Sequence, residues 1–155
     1  KGNYINGKLE GFWEEYHDNG QLTRSGNYRE GNRSDIWKGY HTNGQLRYEG
    51  KYVDDKKIGL WKHYYSNGQL SLRENYVDDK ENKYKNKKVG LYEEFFDTGK
   101  LKRKGGFING KRDGFWEIYH NNGHSNKGKY IEGEISGEWK NYDENGKLKS
   151  IDKFD

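Results

Sequence analysis

The stretch YHDNGQL at residues 16–22 returns as YHTNGQL at residues 40–46 and as YYSNGQL at residues 64–70, each copy beginning 24 residues after the last. In every copy an Asn-Gly pair separates two short runs rich in aromatic residues. This pair is a strong hairpin signal, because a type I′ turn requires positive φ at both of its central residues. Each period therefore predicts one β-hairpin, with a two-residue type I′ turn at Asn-Gly or a four-residue loop centred on the same pair.

A tryptophan position marks the successive copies along the chain. It is preceded two places earlier by Gly in all copies but one, where Asp35 stands, and it is followed three places later by an aromatic residue. Lys1 to Leu9 resembles the tail of an earlier copy. The pattern predicts an all-β fold in which about six and a half stacked hairpins form one elongated, single-layer antiparallel sheet of thirteen strands. We expect one array over residues 1–155, and its six occupants of the tryptophan position are Trp13, Trp37, Trp61, Tyr92, Trp116 and Trp139.

The register of each hairpin follows from counting outward from its turn. Trp13 is predicted to lie opposite Gly26, and Gly11 opposite Tyr28, so we expect the glycines to make room for the rings. Two hairpins depart from this rule, because the residues opposite Trp61 and Trp139 are Glu74 and Asp152. The copy around Trp116 has one residue fewer and Ser125 in place of Leu, which predicts a bulge or an altered turn near His124.

Composition restricts the class of protein. Only 29% of the 155 residues are hydrophobic, too few for a conventional closed core, but 16% are aromatic and the net charge is only +4, which argues against disorder. There is no Cys for a disulfide framework, and no apolar run approaches the roughly 18 residues of a transmembrane helix. Because residue 1 is not Met, we expect upstream residues, either a signal peptide or further repeats.

The repeated pattern G-x-W-x-x-Y-x-x-N-G, as at Gly114 to Gly123, resembles the MORN-repeat variant family, in particular bacterial antitoxins of the YwqK type. The resemblance covers nearly the whole chain. It implies a stack of hairpins in one long twisted sheet, which agrees with the prediction from the residues. For function it implies an interaction surface, since the family includes proteins regarded as antitoxins or immunity proteins.

No motif indicates catalysis, a cofactor or a metal site. The chain lacks a phosphate-binding glycine loop and a nucleophile elbow. His17, His41 and His120 share one register, but equivalent positions lie two strands apart, about 9.6 Å, whereas a zinc ligand lies about 2 Å from its metal. Adjacent carboxylates such as Glu14 and Glu15 point to opposite faces of a strand and cannot act on one substrate. We therefore expect a protein that is not an enzyme.

Two groups of residues are candidates for partner binding. The residue four places after the tryptophan varies in size and charge between copies, whereas the tryptophan and turn positions of the repeat are nearly constant. Such a variable position can give the surface its specificity for a partner. The alternative is that a position near a turn tolerates variation and has no role in binding. An insertion of residues 81–87 brings several lysines around one tyrosine, which favours contact with an acidic partner, although a solvated insertion is the alternative. The candidates are His17, His41, Tyr65, Phe96 and His120 in the first group, where Asp143 completes the series, and Lys83, Tyr84, Lys85, Lys87 and Lys88 in the second.

Three function classes are consistent with these observations. The leading one is a non-enzymatic interaction protein, an antitoxin- or immunity-like inhibitor that covers a protein partner with its aromatic sheet face. The second is a surface or secreted adhesion module. The third is binding to nucleic acid or anionic lipid, favoured by an isoelectric point near 9.0 but opposed by 25 acidic residues spread along the same strands.

Overall fold

A computed structural model describes residues 1–77 and 87–155, which form one antiparallel sheet of thirteen strands arranged in chain order. No helix occurs in these two ranges. The all-β, single-layer prediction is therefore confirmed. The strands are β1 (Asn3–Ile5), β2 (Lys8–Tyr16), β3 (Leu22–Arg29), β4 (Asn32–Tyr40), β5 (Leu46–Val53), β6 (Lys56–Tyr64), β7 (Leu70–Tyr76), β8 (Gly90–Phe95), β9 (Leu101–Ile108), β10 (Lys111–Tyr119), β11 (Ser125–Ile131), β12 (Glu134–Tyr142) and β13 (Leu148–Phe154).

The predicted register within hairpins is confirmed. Trp13 pairs with Gly26 and Gly11 pairs with Tyr28 across β2 and β3. The two exceptions are also as expected, since Trp61 pairs with Glu74 and Trp139 pairs with Asp152.

Of the turns considered at Asn-Gly, the two-residue type I′ turn does not form. In the turn of the first full hairpin only Gly20 has positive φ, at 80°, and its N–H donates to the carbonyl of His17 at 2.9 Å. The side-chain oxygen of Asn19 accepts from the N–H of Gln21 at 3.0 Å, which holds Asn19 outside the left-handed region. Type I′ geometry occurs instead at the connections between hairpins, as at Glu30 and Gly31, where φ is 50° and 87°.

The glycine two places before the tryptophan is explained by backbone conformation. Gly11 has φ of 77°, and an added Cβ there would meet no atom within 4 Å, so it does not make room for a ring. Asp35 adopts the same conformation at φ 60°. At each of these positions the strand bulges away from the preceding strand, as shown by the register shift between β3 and β4 opposite Gly26.

The bulge directs each tryptophan over the strand before it. A Cβ on Gly26 would lie 2.3 Å from the ring of Trp37, and one on Gly50 would lie 2.1 Å from the ring of Trp61. The strand glycines do make room for rings, as predicted, but the ring belongs to the following hairpin. Each tryptophan therefore joins one hairpin to the previous one.

The shortened hairpin around Trp116 does not have the bulge or altered turn expected near His124. The other hairpins have a register shift beside the turn, for example between Glu15 and Tyr16, whereas β10 and β11 pair without a shift down to Tyr119 and Ser125. The turn itself is unchanged, because the N–H of Gly123 donates to the carbonyl of His120 at 3.0 Å. The missing residue has removed a bulge.

Candidate functional site

The two faces of the sheet differ in accessibility. We call the face with the tryptophans the packed face and the opposite one the exposed face. On the packed face Trp37, Trp61 and Trp116 are no more than 1% exposed. Tyrosine rings meet them edge to face, as Tyr52 meets Trp61 with 4.8 Å between ring centroids. The indole N–H of Trp37 donates to the carbonyl of Asn27 at 3.0 Å, so the ring's polar atom is also satisfied.

Cationic side chains cover these rings. The position four places before the tryptophan holds Arg33, Lys57, Lys88 and Arg112, with Leu9 and Ile135 in the first and last hairpins. The guanidinium of Arg33 lies 4.1 Å from the ring centroid of Tyr52, Lys57 Nζ lies 4.3 Å from that of Trp61, and the Arg112 guanidinium lies 4.8 Å from that of Trp116. Burial lowers the pKa of Lys57.

This cation column was not found from the sequence, although comparing equivalent positions of the repeats would have shown it. A binding role for the aromatic face remains a prediction. Trp37, Trp61, Trp116 and Trp139 are no more than 5% exposed, because neighbouring side chains and backbone enclose them, whereas Trp13 is half-buried. The four buried rings therefore offer a partner little accessible surface.

The junction between β7 and β8 replaces this packing with a buried charge cluster. Glu74 stands where the regular junctions have glycine, and it is only 3% exposed. Lys88 Nζ lies 2.8 Å from its Oε2, and the hydroxyl of Tyr76 donates to its Oε1 at 2.9 Å. Burial acts to raise the pKa of Glu74, but contacts from His63, Lys88 and Tyr76 outweigh it and hold the pKa at about 2. The cluster lies between two separate aromatic cores, one on each side of the junction.

Two of the predicted binding residues connect neighbouring hairpins. The Nε2 of His41 lies 2.9 Å from the carbonyl oxygen of Tyr64, and the hydroxyl of Tyr65 donates to the carbonyl of Phe95 at 2.8 Å. In each case the side chain reaches the strand end of the next hairpin. His41 and Tyr65 thus have a structural role, and a role in partner binding remains a prediction.

The other members of that position lie in different environments. Nε2 of His17 is buried without a hydrogen-bond partner in the described ranges. Phe96 and His120 line one groove of about 590 Å³ between two adjacent turns, together with Leu101 and Tyr119. The structure therefore brings Phe96 and His120 together but leaves His17 apart from them.

The insertion lies mostly outside the described residues. Lys83, Tyr84 and Lys85 are among the residues not described, so their predicted role stays a prediction. Lys87 is exposed and described. Lys88 belongs to the packed face, where it contacts Glu74 and lies over the ring of Tyr92 at 5.0 Å.

The exposed face carries a regular row of accessible apolar side chains. Each lies one place before the tryptophan position, on the first strand of its hairpin, and equivalent members are two strands apart, about 9.6 Å. The residues and their exposed fractions are Phe12 (56%), Ile36 (52%), Leu60 (44%), Leu91 (48%) and Phe115 (57%). We call this set the apolar row. Sequence reasoning did not single these residues out for binding.

Charges on the sheet are largely paired within it. Arg24 contacts Glu15 at 2.6 Å, Arg33 contacts Asp55 at 2.6 Å, and Arg73 contacts Glu93. In residues 1–77 and 87–155 no group of three His, Cys, Asp or Glu side chains could hold a metal ion. The same ranges contain no helix long and apolar enough to cross a membrane.

Comparison with known proteins identifies the repeat. The MORN repeat variant profile matches residues 9–30, 36–54, 57–78, 88–109 and 135–155, which together make up more than half of the chain. The third and fourth matches lie on either side of the insertion, and the shortened hairpin around Trp116 lies between the fourth and the fifth. No curated protein matches the chain. The predicted antitoxin resemblance therefore remains a prediction, whereas the five matches show that this chain belongs to the MORN repeat variant family.

Proposed function

We propose that the protein is a non-enzymatic interaction module that binds a protein partner through its exposed face and inhibits that partner in the manner of an antitoxin or immunity protein. The observation that carries this proposal is the apolar row, whose five members are 44% to 57% exposed. MORN repeats are commonly binding modules, which agrees with this choice. The inhibitory role rests on the sequence resemblance and needs its own test.

A partner would bury more apolar surface on the exposed face than on the packed face. The packed face already uses its large rings to hold the hairpins together, so a partner would gain little apolar contact there. The apolar row, by contrast, leaves phenyl and branched aliphatic groups in water. Burying such groups contributes about 25 cal/mol per Å², and large apolar side chains are the usual anchors of protein interfaces.

The row also fits an extended interface. Its members repeat about every 9.6 Å across the sheet. Most of their partners on the intervening strands are polar, since Ile36 pairs with Lys51 and Leu60 pairs with Asn75. Leu91 pairs instead with Gly106. A partner that lies along the row would meet an apolar anchor at every second strand and hydrogen-bonding groups between the anchors. This is the arrangement of buried anchors within a polar surround that gives specific interfaces.

A variant of the row tests the binding face. Ile36→Ser, Leu60→Ser and Leu91→Ser together should abolish capture of the native partner from cells of the source organism, and should weaken binding of the purified partner by more than about tenfold. The control is Lys51→Ser with Asn75→Ser, which changes the same face between the anchors. Retained binding by the row variant, with tryptophan fluorescence unchanged, would contradict the proposal.

Inhibition is tested separately by co-expression. If the captured partner arrests growth when expressed alone, the wild-type protein should restore growth and the row variant should not. A partner that binds but has no activity suppressed by this protein would remove the antitoxin role and leave the interaction role standing.

A further inference from the structure

The exposed face carries a row of charged positions that runs parallel to the apolar row. Successive strand pairs place opposite charges beside each other along most of it, as Lys38 beside Glu49 and Glu93 beside Lys104. Such pairs stabilise a sheet, whereas like charges directly opposite each other destabilise it. A place in this row where two like charges are neighbours therefore marks a part of the sheet whose charges are not neutralised within the protein.

Such a pair of like charges lies on β11 and β12. Lys127 pairs directly with Lys140, and the other cross-strand neighbour of Lys140 is Ile151. Lys127 lies 4.0 Å from Glu117, but that carboxylate also contacts Lys104 at 3.3 Å. Lys140 forms no ion pair within the described ranges. The other like-charge neighbours in the row, Lys62 and Arg73, each have their own carboxylate partner, Glu49 and Glu93.

A groove lies at this place. It has a volume of about 500 Å³, and its lining includes Phe115, Ile131 and Tyr142 together with Lys127, Lys129 and Lys140. Phe115 and Ile131 are 57% and 54% exposed, so the groove has accessible apolar walls. Its one acidic lining residue, Glu138, already lies 3.8 Å from Lys153 across the strand pair.

We infer that this groove binds an acidic segment of the protein partner, with an apolar side chain of that segment seated between Phe115 and Ile131 and its carboxylates on Lys129 and Lys140. The inference rests on the proposed function and names the partner's chemistry. The repulsion between Lys127 and Lys140 costs stability in the free protein, and a carboxylate bound at Lys140 offsets it. The apolar walls supply an anchor that charge alone would not give.

A peptide probe tests the site directly. The probe is a short fluorescein-labelled peptide in which Asp and Glu alternate with Phe and Leu, and its control has Lys in place of every acid. We expect the acidic peptide alone to bind, with an affinity that falls as NaCl is raised. Lys129→Glu with Lys140→Glu should weaken binding by at least about tenfold.

The matched control is Lys51→Glu with Lys62→Glu, which reverses two charges at the positions that correspond to Lys129 and Lys140 in the hairpin pair around β5, where Glu49 and Lys62 form an ion pair at 3.2 Å. It should change peptide affinity by less than about twofold. Equal effects of the control and of the groove variant would overturn the inference, as would failure of the acidic peptide to bind.

Other occupants give distinct results, each of which would overturn the inference. Recruitment of the wild type to phosphatidylserine vesicles, lost in the Lys129→Glu, Lys140→Glu variant, would reassign the groove to lipid. Dimerisation in sedimentation experiments, abolished by the same variant, would reassign it to a second copy of this chain. If the native partner binds this variant normally but fails to bind the variant of the apolar row, the groove assignment is wrong and the proposed function stands.

Discussion

Trp116 and Phe115 are neighbours in the chain, yet Trp116 is fully buried whereas Phe115 is 57% exposed. The difference lies in the bulge at Gly114, with φ of 78°, which directs Trp116 over Gly105 of the preceding strand. Phe115 points to the other face, where no second layer formed by residues 1–77 or 87–155 covers it. A single-layer sheet can thus place its stabilising contacts on one face and leave the other for a partner.

The largest expected effect comes from disturbing a strand glycine on the packed face. Gly50→Val should lower the free energy of unfolding by about 3–5 kcal/mol, because the new side chain would occupy the place of the Trp61 ring and expel it from its buried site. Urea unfolding followed by tryptophan fluorescence measures this.

The control is Gly59→Asp, at a bulge where an added Cβ meets no atom within 4 Å and where Asp35 shows that Asp tolerates the conformation. It should lower the free energy of unfolding by less than about 1 kcal/mol. If both variants lose the same stability, the distinction between the two kinds of glycine is wrong.

Acid should weaken the polar junction between β7 and β8. The pKa of Glu74 is lowered from 4.5 to about 2 in the folded protein, so its contribution is fully present above pH 4.5 and is lost as the pH falls towards 2. The loss amounts to at most about 3 kcal/mol. Urea unfolding at several pH values measures this. Between pH 4.5 and 2 the free energy of unfolding should fall less in Glu74→Gln than in the wild type.

A repair of the junction should have a smaller effect on stability at neutral pH. Glu74→Gly combined with Tyr92→Trp recreates the glycine and tryptophan of the regular junctions. Since replacing a buried ion pair by apolar packing is often neutral, we expect the free energy of unfolding at pH 7 to change by less than about 1 kcal/mol. The loss of stability at low pH that is attributed to Glu74 should disappear in this variant. If the loss persists, another group, such as Glu94, dominates the pH dependence of stability.

The smallest effect is expected on the exposed face. Phe12→Ser and Leu60→Ser should each lower the free energy of unfolding by about 0.5–1 kcal/mol, because these side chains are 56% and 44% exposed and lose little burial. Thermal unfolding followed by circular dichroism measures the change. Losses comparable to that of Gly50→Val would mean that the apolar row supports the fold.

Sequence reasoning predicted the strand count and the register because Trp13, Gly26 and the turn recur at fixed spacing. It left the turn type open because Asn-Gly fits both a type I′ turn and a turn that ends in a left-handed glycine. The Asn side chain makes contacts on both sides: the Oδ1 of Asn43 accepts from the N–H of Gln45 at 3.1 Å, and its Nδ2 donates to the carbonyl of Ser66 in the next hairpin at 2.7 Å. Counting residues within one hairpin cannot reveal such a contact.

The same limit explains why the burial of the tryptophan rings was not predicted. Pairing arithmetic places Trp13 beside Gly26 within one hairpin, but the bulge that turns Trp37 over Gly26 depends on the neighbouring hairpin. Counting within one hairpin therefore leaves the tryptophan rings uncovered. The cations that enclose the rings, such as Arg112, could be predicted only by comparing equivalent positions of the repeats.

The most direct test of separate faces is to compare Trp116→Ala with Phe115→Ala by urea unfolding under identical conditions. The account predicts that Trp116→Ala lowers the free energy of unfolding by about 3–5 kcal/mol and that Phe115→Ala lowers it by less than about 1 kcal/mol. Equal losses from these two adjacent positions would contradict the assignment of stability to the packed face and of binding to the exposed face.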